Sequence, residues 1–416
     1  MTSALLVCLK FSSCQKRCKS ALIHENIPVP DIFIYKVMRH TRIKLPAPAA
    51  YHITSRIKGD EFLLEDDADK RDLLDIIRRA AVFAGITVMS YTILDNHFHL
   101  LIHIPERQEV GDAELERRAR ILWGDEKAEE RFECWRFWES HGKAQRAENE
   151  RNALRRRMYD ISPFVKTIKD TFRHSYKRRH GVSGAVWGRT RFKSAAVASD
   201  FKTLATVATY IDLNAVRARV ARHPKRYKWC CLGAANKGDR FAIEGLDALA
   251  AYRAAQAGAA NTEARMAANE TAFDVYLRFV DGTNNSGDRF SSGRSDSRSL
   301  SGAGGRDSSE NDGAVRNGYV RKTLDSADLT RLGATGVARW LEESEIKPEC
   351  LSEMWSRRFG NFVVGGIIGP LAVVITVRET LARGAGVCNR WQPSVVEEIY
   401  TFIHERNVRA RKRNAV

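Results

Sequence analysis

His97-Phe-His-Leu-Leu-Ile-His-Ile104 alternates two kinds of side chain, with Phe98, Leu100, Ile102 and Ile104 set against His97, His99, Leu101 and His103. Successive side chains of a strand point to opposite faces, so the segment predicts a β-strand with a core stripe on one face and imidazoles on the other. Asp95-Asn96 just before it is a turn-favouring pair, Ile86 to Leu94 reads as the preceding strand, and Pro105 closes the second. Upstream, Tyr51-His-Ile-Thr-Ser-Arg-Ile57 is alternating and β-rich. Between these strands, Asp66 to Ala84 carries Leu73, Leu74, Ile76, Ile77, Ala80 and Phe83 at helical spacing, and Gly85 follows as a stop. Downstream, Ile161 to about His180 predicts a helix with Ser162 as N-cap and Pro163 at its first position. Ala185 to Val197 is strand-like, and Ser199-Asp200 opens a helix running through Tyr210 and Asn214 with Arg217 near its end. Helices and strands in this order predict an α+β fold around an antiparallel sheet.

Composition narrows the function. The chain has 416 residues, 44% hydrophobic and 29% charged, which argues against wholesale disorder and against a membrane-embedded bundle. Its 68 Lys and Arg against 51 Asp and Glu give +17, an excess that calls for a polyanionic partner, nucleic acid first among them. The eight cysteines include no C-x-x-C pair, which argues against a zinc ribbon or a thioredoxin-like site and for free thiols in a reducing cytoplasm. The apolar run at Ala4 to Leu9 is short and lacks a basic region before it, and Gly365, Gly366, Gly369 and Pro370 break the uncharged stretch Phe362 to Val377. No membrane partner is expected.

Several segments flank the ordered pattern. Residues 1–43 read as an N-terminal tail, with Met38 as an alternative start; residues 44–234 form the patterned domain, and 106–160 within it is a charged helical insertion. Residues 235–281 are an Ala-rich helical extension. Residues 282–318, with nine Ser and eight Gly in 37 positions, predict a flexible linker. Residues 319–416 form a mainly helical C-terminal module with a basic tail, Arg409 to Arg413.

Three groups of residues carry candidate chemistry. His97 and His99, two apart on one strand face, can reach one metal ion, though two surface histidines give the same pattern. Tyr210 and Asn214 lie four apart on a helix with Arg217 at seven; a phenol can be a nucleophile and an amide oxygen a ligand, but on spacing alone a packed tyrosine and a helix-end asparagine are the stronger reading. Between Ser162 and Lys193, nine cationic side chains (Lys166, Lys169, Arg173, Lys177, Arg178, Arg179, Arg189, Arg191 and Lys193) face the single acid Asp170, with Phe172, Tyr176, Trp187 and Phe192 interleaved. Cations for phosphates and flat rings for unpaired bases suit a binder of single-stranded or hairpin DNA. The alternative for Trp187 is a core residue at the sheet edge.

Taken together, Tyr51-His-Ile-Thr-Ser-Arg, Asp95-Asn-His-Phe-His-Leu-Leu-Ile, Arg179-His-Gly-Val-Ser-Gly-Ala-Val-Trp, Arg191-Phe-Lys-Ser and Tyr210-Ile-Asp-Leu-Asn-Ala-Val-Arg-Ala resemble the single-tyrosine HUH transposases, in particular the REP-associated tyrosine transposases and their IS200-like relatives. The resemblance covers about residues 44–232. It implies a ferredoxin-like, RRM-like sheet forming an HUH endonuclease core. It implies Tyr210 as the nucleophile, and His97, His99 and Asn214 as ligands of Mg²⁺ or Mn²⁺. It further implies cleavage and rejoining of single-stranded DNA at hairpin sites through a 5′-phosphotyrosine, by a monomer or homodimer associated with the nucleoid. Ala215 stands where the family often has proline after the asparagine, which bears on the aim of Asn214. Two other readings are a hairpin-binding regulator without catalysis, and a metal-dependent nuclease that uses water and leaves Tyr210 idle.

Overall fold

The computed structural model describes residues 43–188 and 192–257, and beyond these 276, 277, 280, 331, 332, 336, 339, 340, 366–385, 391–396 and 399–404. The expected N-terminal tail up to residue 42, the start at Met38, the Ser/Gly linker, the basic C-terminal tail, Arg189 and Arg191 lie outside the described residues.

The fold is mixed α+β. Its chain order is β1 (Ala49–Arg56), α1 (Asp67–Ala84), β2 (Thr87–Leu94), β3 (His97–Ile104), a helical excursion, α5 (Ile161–His180) and β4 (Lys193–Val197). The excursion consists of α2 (Asp112–Trp123), α3 (Asp125–Ser140) and α4 (Ala144–Arg155). The sheet order is β2-β3-β1-β4, with every pair antiparallel, and a fifth strand, β5 (Ile367–Ile368), runs parallel to β4.

The alternation in β3 decides how the layers stack. Phe98, Leu100 and Ile102 are fully buried on one face, where α1 and α5 pack side by side. Each such aromatic or aliphatic side chain contributes ~1.5–3 kcal/mol on burial. The Asp66 carboxylate caps α1 by accepting from the Ala68 N–H at 2.8 Å, and Gly85 ends it in the left-handed region at φ 63°. A Cβ at Gly85 would lie 2.6 Å from the Tyr159 ring, so both conformation and space require glycine.

Three boundaries differ from the sequence reading. Helix α5 is capped by Asp160, which accepts from the Ser162 N–H at 2.7 Å, so Ser162 lies inside the helix. Pro163 still falls in the first turn, where its missing N–H costs nothing. The strand expected over 185–197 is regular only from Lys193, with Trp187 making a single bridge to Ile57. The helix expected to run through Asn214 is α6 (Phe201–Asp212), capped by Asp200, and it breaks at Leu213 before one further turn, α7 (Asn214–Arg217).

After a short helix, α8 (Cys231–Ala235), the helix α9 (Arg240–Ala257) lies against β2. Farther on come α10 (Leu371–Ala385) and a hairpin, β6 (Trp391–Val396) and β7 (Ile399–His404). This C-terminal part joins the main sheet. The Ala196 and Ala198 N–H groups donate to the carbonyls of Gly366 and Ile368 at 2.9 and 2.8 Å, and the buried Thr401 hydroxyl donates to the Ile367 carbonyl at 2.6 Å.

Candidate active site

The face of the sheet opposite α1 and α5 carries the polar residues. Antiparallel partners share a face, and the register sets Thr54 opposite His99, Arg56 opposite His97 and Lys193 opposite Thr54. His52 lies two residues before Thr54, on the same face. Helix α6 crosses this face, held where the Thr92 hydroxyl donates to the Ile211 carbonyl at 2.6 Å. Thr92 is itself the β2 partner of His99.

The crossing brings Tyr210 onto the histidines. Its ring stands nearly perpendicular to those of His99 and His52, with centroids 5.6 and 5.7 Å away, and His97 meets His99 edge-on at 5.0 Å. The Arg217 guanidinium lies 5.3 Å from the centre of the Tyr210 ring. Tyr210 thus meets histidines of β1 and β3 that lie more than a hundred positions before it in the chain.

Hydrogen bonds set what each imidazole can offer. His97 Nδ1 lies 2.5 Å from the Asn96 amide oxygen, a geometry in which the ring N–H donates to the carbonyl. His99 Nδ1 lies 2.9 Å from His52 Nε2 and 3.1 Å from the Thr54 hydroxyl. Both Nδ1 atoms are engaged, so each ring would ligate through Nε2. Burial, reinforced by the nearby His97 and His52, holds His99 well below the usual imidazole range. Burial alone pulls His52 down to about 3. A neutral ring is the form that ligates metal, and burial keeps His99 in that form.

Asn214 fits less well. Its Nδ2 donates back to the Tyr210 carbonyl at 2.8 Å, replacing the bond that an unbroken helix would make, and its Oδ1 faces Arg217 at 3.4 Å. The side-chain oxygen of Asn214, its atom suited to a cation, therefore points at a cation. Among the described residues, no group of three or more His, Cys, Asp or Glu side chains could hold a metal.

The expected DNA-binding residues divide. Trp187 belongs to the core: it is 8% exposed, its indole N–H donates to the Lys169 carbonyl at 2.8 Å, and it packs on Phe98 and Phe172. Its ring is not an open stacking platform, because the strand predicted there gives way to an arch folded onto α5. Arg179 is held by Asp69 and, at 2.8 Å, by Asp72. Lys169 lies over Trp187, and burial lowers its pKa. Lys166 pairs with Asp170 at 2.7 Å, while Arg178 is exposed and Arg173 half-buried on the same helix. Lys193 is exposed on the histidine face of the sheet.

His52 and Thr54 were missed as site residues. The alternation of His52, Thr54 and Arg56 in the first strand is the signal that carried them.

No protein-family model and no curated protein matches the chain. Among solved structures, a REP-associated tyrosine transposase bound to a REP hairpin aligns with 46% of this chain and 79% of its own, at 16% identity and a TM-score of 0.28. No helix among the described residues is long and apolar enough to cross a membrane.

Proposed function

We propose that the chain is a transposase-like, metal-dependent enzyme that cuts and rejoins single-stranded DNA at hairpin-bearing sites, with Tyr210 as nucleophile. The observation that carries this reading is the Tyr210 ring set edge-to-face against His99, at 5.6 Å, with His97 edge-on to the same imidazole at 5.0 Å. The antiparallel β4-β1-β3-β2 order, built as βαββαβ, supports assigning the sheet to the ferredoxin-like class and its polar face to an HUH-type centre.

His97 and His99 would hold Mg²⁺ or Mn²⁺ through Nε2, and Asn214 is a third ligand only after turning its Oδ1 from Arg217. Such an ion, when bound, polarises the scissile phosphate and offsets its growing negative charge. The Tyr210 oxygen attacks phosphorus, a P–O bond to Tyr210 forms, and the P–O3′ bond breaks. The phenol gives up its proton and the departing 3′ oxygen takes one up. Arg217, against the Tyr210 ring, supplies positive charge where the phenol becomes anionic. Attack by a 3′-hydroxyl on the phosphotyrosine reverses the step, so the number of phosphodiesters is kept and no nucleotide cofactor is consumed.

The test is incubation with 5′- and 3′-labelled single strands carrying imperfect hairpins, with Mn²⁺, followed by a denaturing gel. A protein-sized band retaining the downstream label is expected, and Tyr210→Phe should abolish it while hairpin affinity changes little. Tight binding without any adduct from the unaltered chain would assign it to the regulator class; an adduct that survives Tyr210→Phe would move the nucleophile elsewhere.

A further inference from the structure

His52 is fully buried one strand away from His99, and the two rings are related in an unusual way. Their planes differ by 3° and their centroids are 5.2 Å apart, whereas His52 Nε2 and His99 Nδ1 are 2.9 Å apart. The difference between the two distances is about one ring diameter. That occurs only when both nitrogens lie on the line joining the ring centres. The imidazoles are therefore edge to edge in one plane, with an N–H of one aimed along the lone pair of the other.

We propose that His52 is the positioning residue of His99: its Nε2 accepts the His99 Nδ1 proton, holds that ring as the Nδ1–H tautomer and so turns a bare Nε2 lone pair outward as a ligand. This rests on the metal reading of His97 and His99. A neutral imidazole carries one proton, so a ring that ligates through Nε2 must place its proton on Nδ1 and needs an acceptor there. Two acceptors are in place, His52 Nε2 at 2.9 Å and the Thr54 hydroxyl at 3.1 Å. His52 Nδ1, by contrast, is buried without a hydrogen-bond partner among the described residues. An imidazole kept for packing alone would gain by replacement with an apolar side chain, which removes the unmatched nitrogen. The site thus retains a polar ring whose one satisfied nitrogen is the one facing His99.

The test has two arms on the full-length protein. In the first, ring ¹⁵N shifts of histidine-labelled, metal-free protein report the tautomer of His99, assigned with a His99→Gln variant. The Nδ1–H form is expected in the unaltered chain and should be lost or mixed in His52→Leu; an Nε2–H form in the unaltered chain overturns the proposal. In the second, Mn²⁺ binding is followed by electron paramagnetic resonance. His52→Leu should bind Mn²⁺ ~10–100-fold more weakly, as removal of such outer partners does elsewhere. Its melting temperature should be equal or higher. His52→Gln, whose amide oxygen can accept the same proton, should recover most of the affinity. Equal Mn²⁺ affinity in His52→Leu and the unaltered chain overturns the role. If the unaltered chain binds no Mn²⁺ the metal reading falls, and the first arm still decides whether His52 sets the tautomer.

Discussion

At the scale of single residues, the histidine cluster ties stability to pH. Burial draws His52 down to about 3 and His99 well below its ordinary value, while in the unfolded chain both titrate near ~6.5. Between those limits the unfolded chain binds more protons than the folded one. Their contribution is therefore complete above pH ~6.5 and is lost as pH falls toward 3. Asp212 works in the opposite sense. Burial pushes it up to about 6, despite hydrogen bonds from Tyr276 and the Leu232 N–H, so the folded chain holds the extra proton and this contribution fades as pH rises through 6. Two imidazoles outweigh one carboxyl. Urea denaturation at pH 7 and pH 5 should show lower stability at pH 5, by about 1.4 kcal/mol per pH unit for each uncompensated proton. His52→Gln should flatten that dependence. An unchanged slope in the variant would mean that His52 is not buried in its neutral form.

At the scale of elements, the arch after α5 exchanges one role of its aromatics for another. Trp187 bridges to Ile57, donates to a carbonyl of α5 and meets Phe98 from β3, so it closes the layer of α1 and α5 against the sheet. Trp187→Ala should cost ~3–5 kcal/mol of stability, as large-to-small core changes do. Calorimetry of the protein without DNA should show a clear drop in midpoint, with hairpin affinity restored when the comparison is made well below that midpoint. A stable variant that binds poorly would return the ring to the DNA surface. The break at Leu213 is the other local decision. Without proline after Asn214 the chain resumes a helical turn, and the asparagine amide takes over the Tyr210 carbonyl instead of facing the histidines.

At the scale of the molecule, the sheet is completed from the far end of the chain. Ile367 and Ile368 pair with β4, are buried, and are backed by Thr401 from the last hairpin. Gly369 lies so close to Ala198 that a Cβ there would approach its methyl to 2.5 Å. Ending the chain at residue 281 would strip these partners from β4, the strand that carries Lys193 beside Thr54. Such a truncation should melt several degrees below the full chain and be cut faster by protease near residue 193; equal melting temperatures would make the C-terminal part an independent module.

The sequence by itself determined what depends on neighbours along the chain. The two-residue alternation of His97 to Ile104 settles which face enters the core, because strand side chains point up and down in turn. Leu73, Ile76, Ile77 and Ala80 at helical spacing, with Asp66 before and Gly85 after, fix α1 nearly to the residue. His97 with His99, and Tyr210 as a separate candidate, were legible because each chemical type stands out locally. Only the tertiary structure decided what depends on partners far apart in the chain. The register of β1 on β3 brings His52 into the plane of His99, a matter of pairing across 47 positions. The burial of Trp187 and the capture of Arg179 by Asp69 and Asp72 turn on helix α1 packing beside α5. A run of cations and rings looks the same in sequence whether it faces DNA or the core. The packing energy of the layers, summed over many contacts, makes that choice.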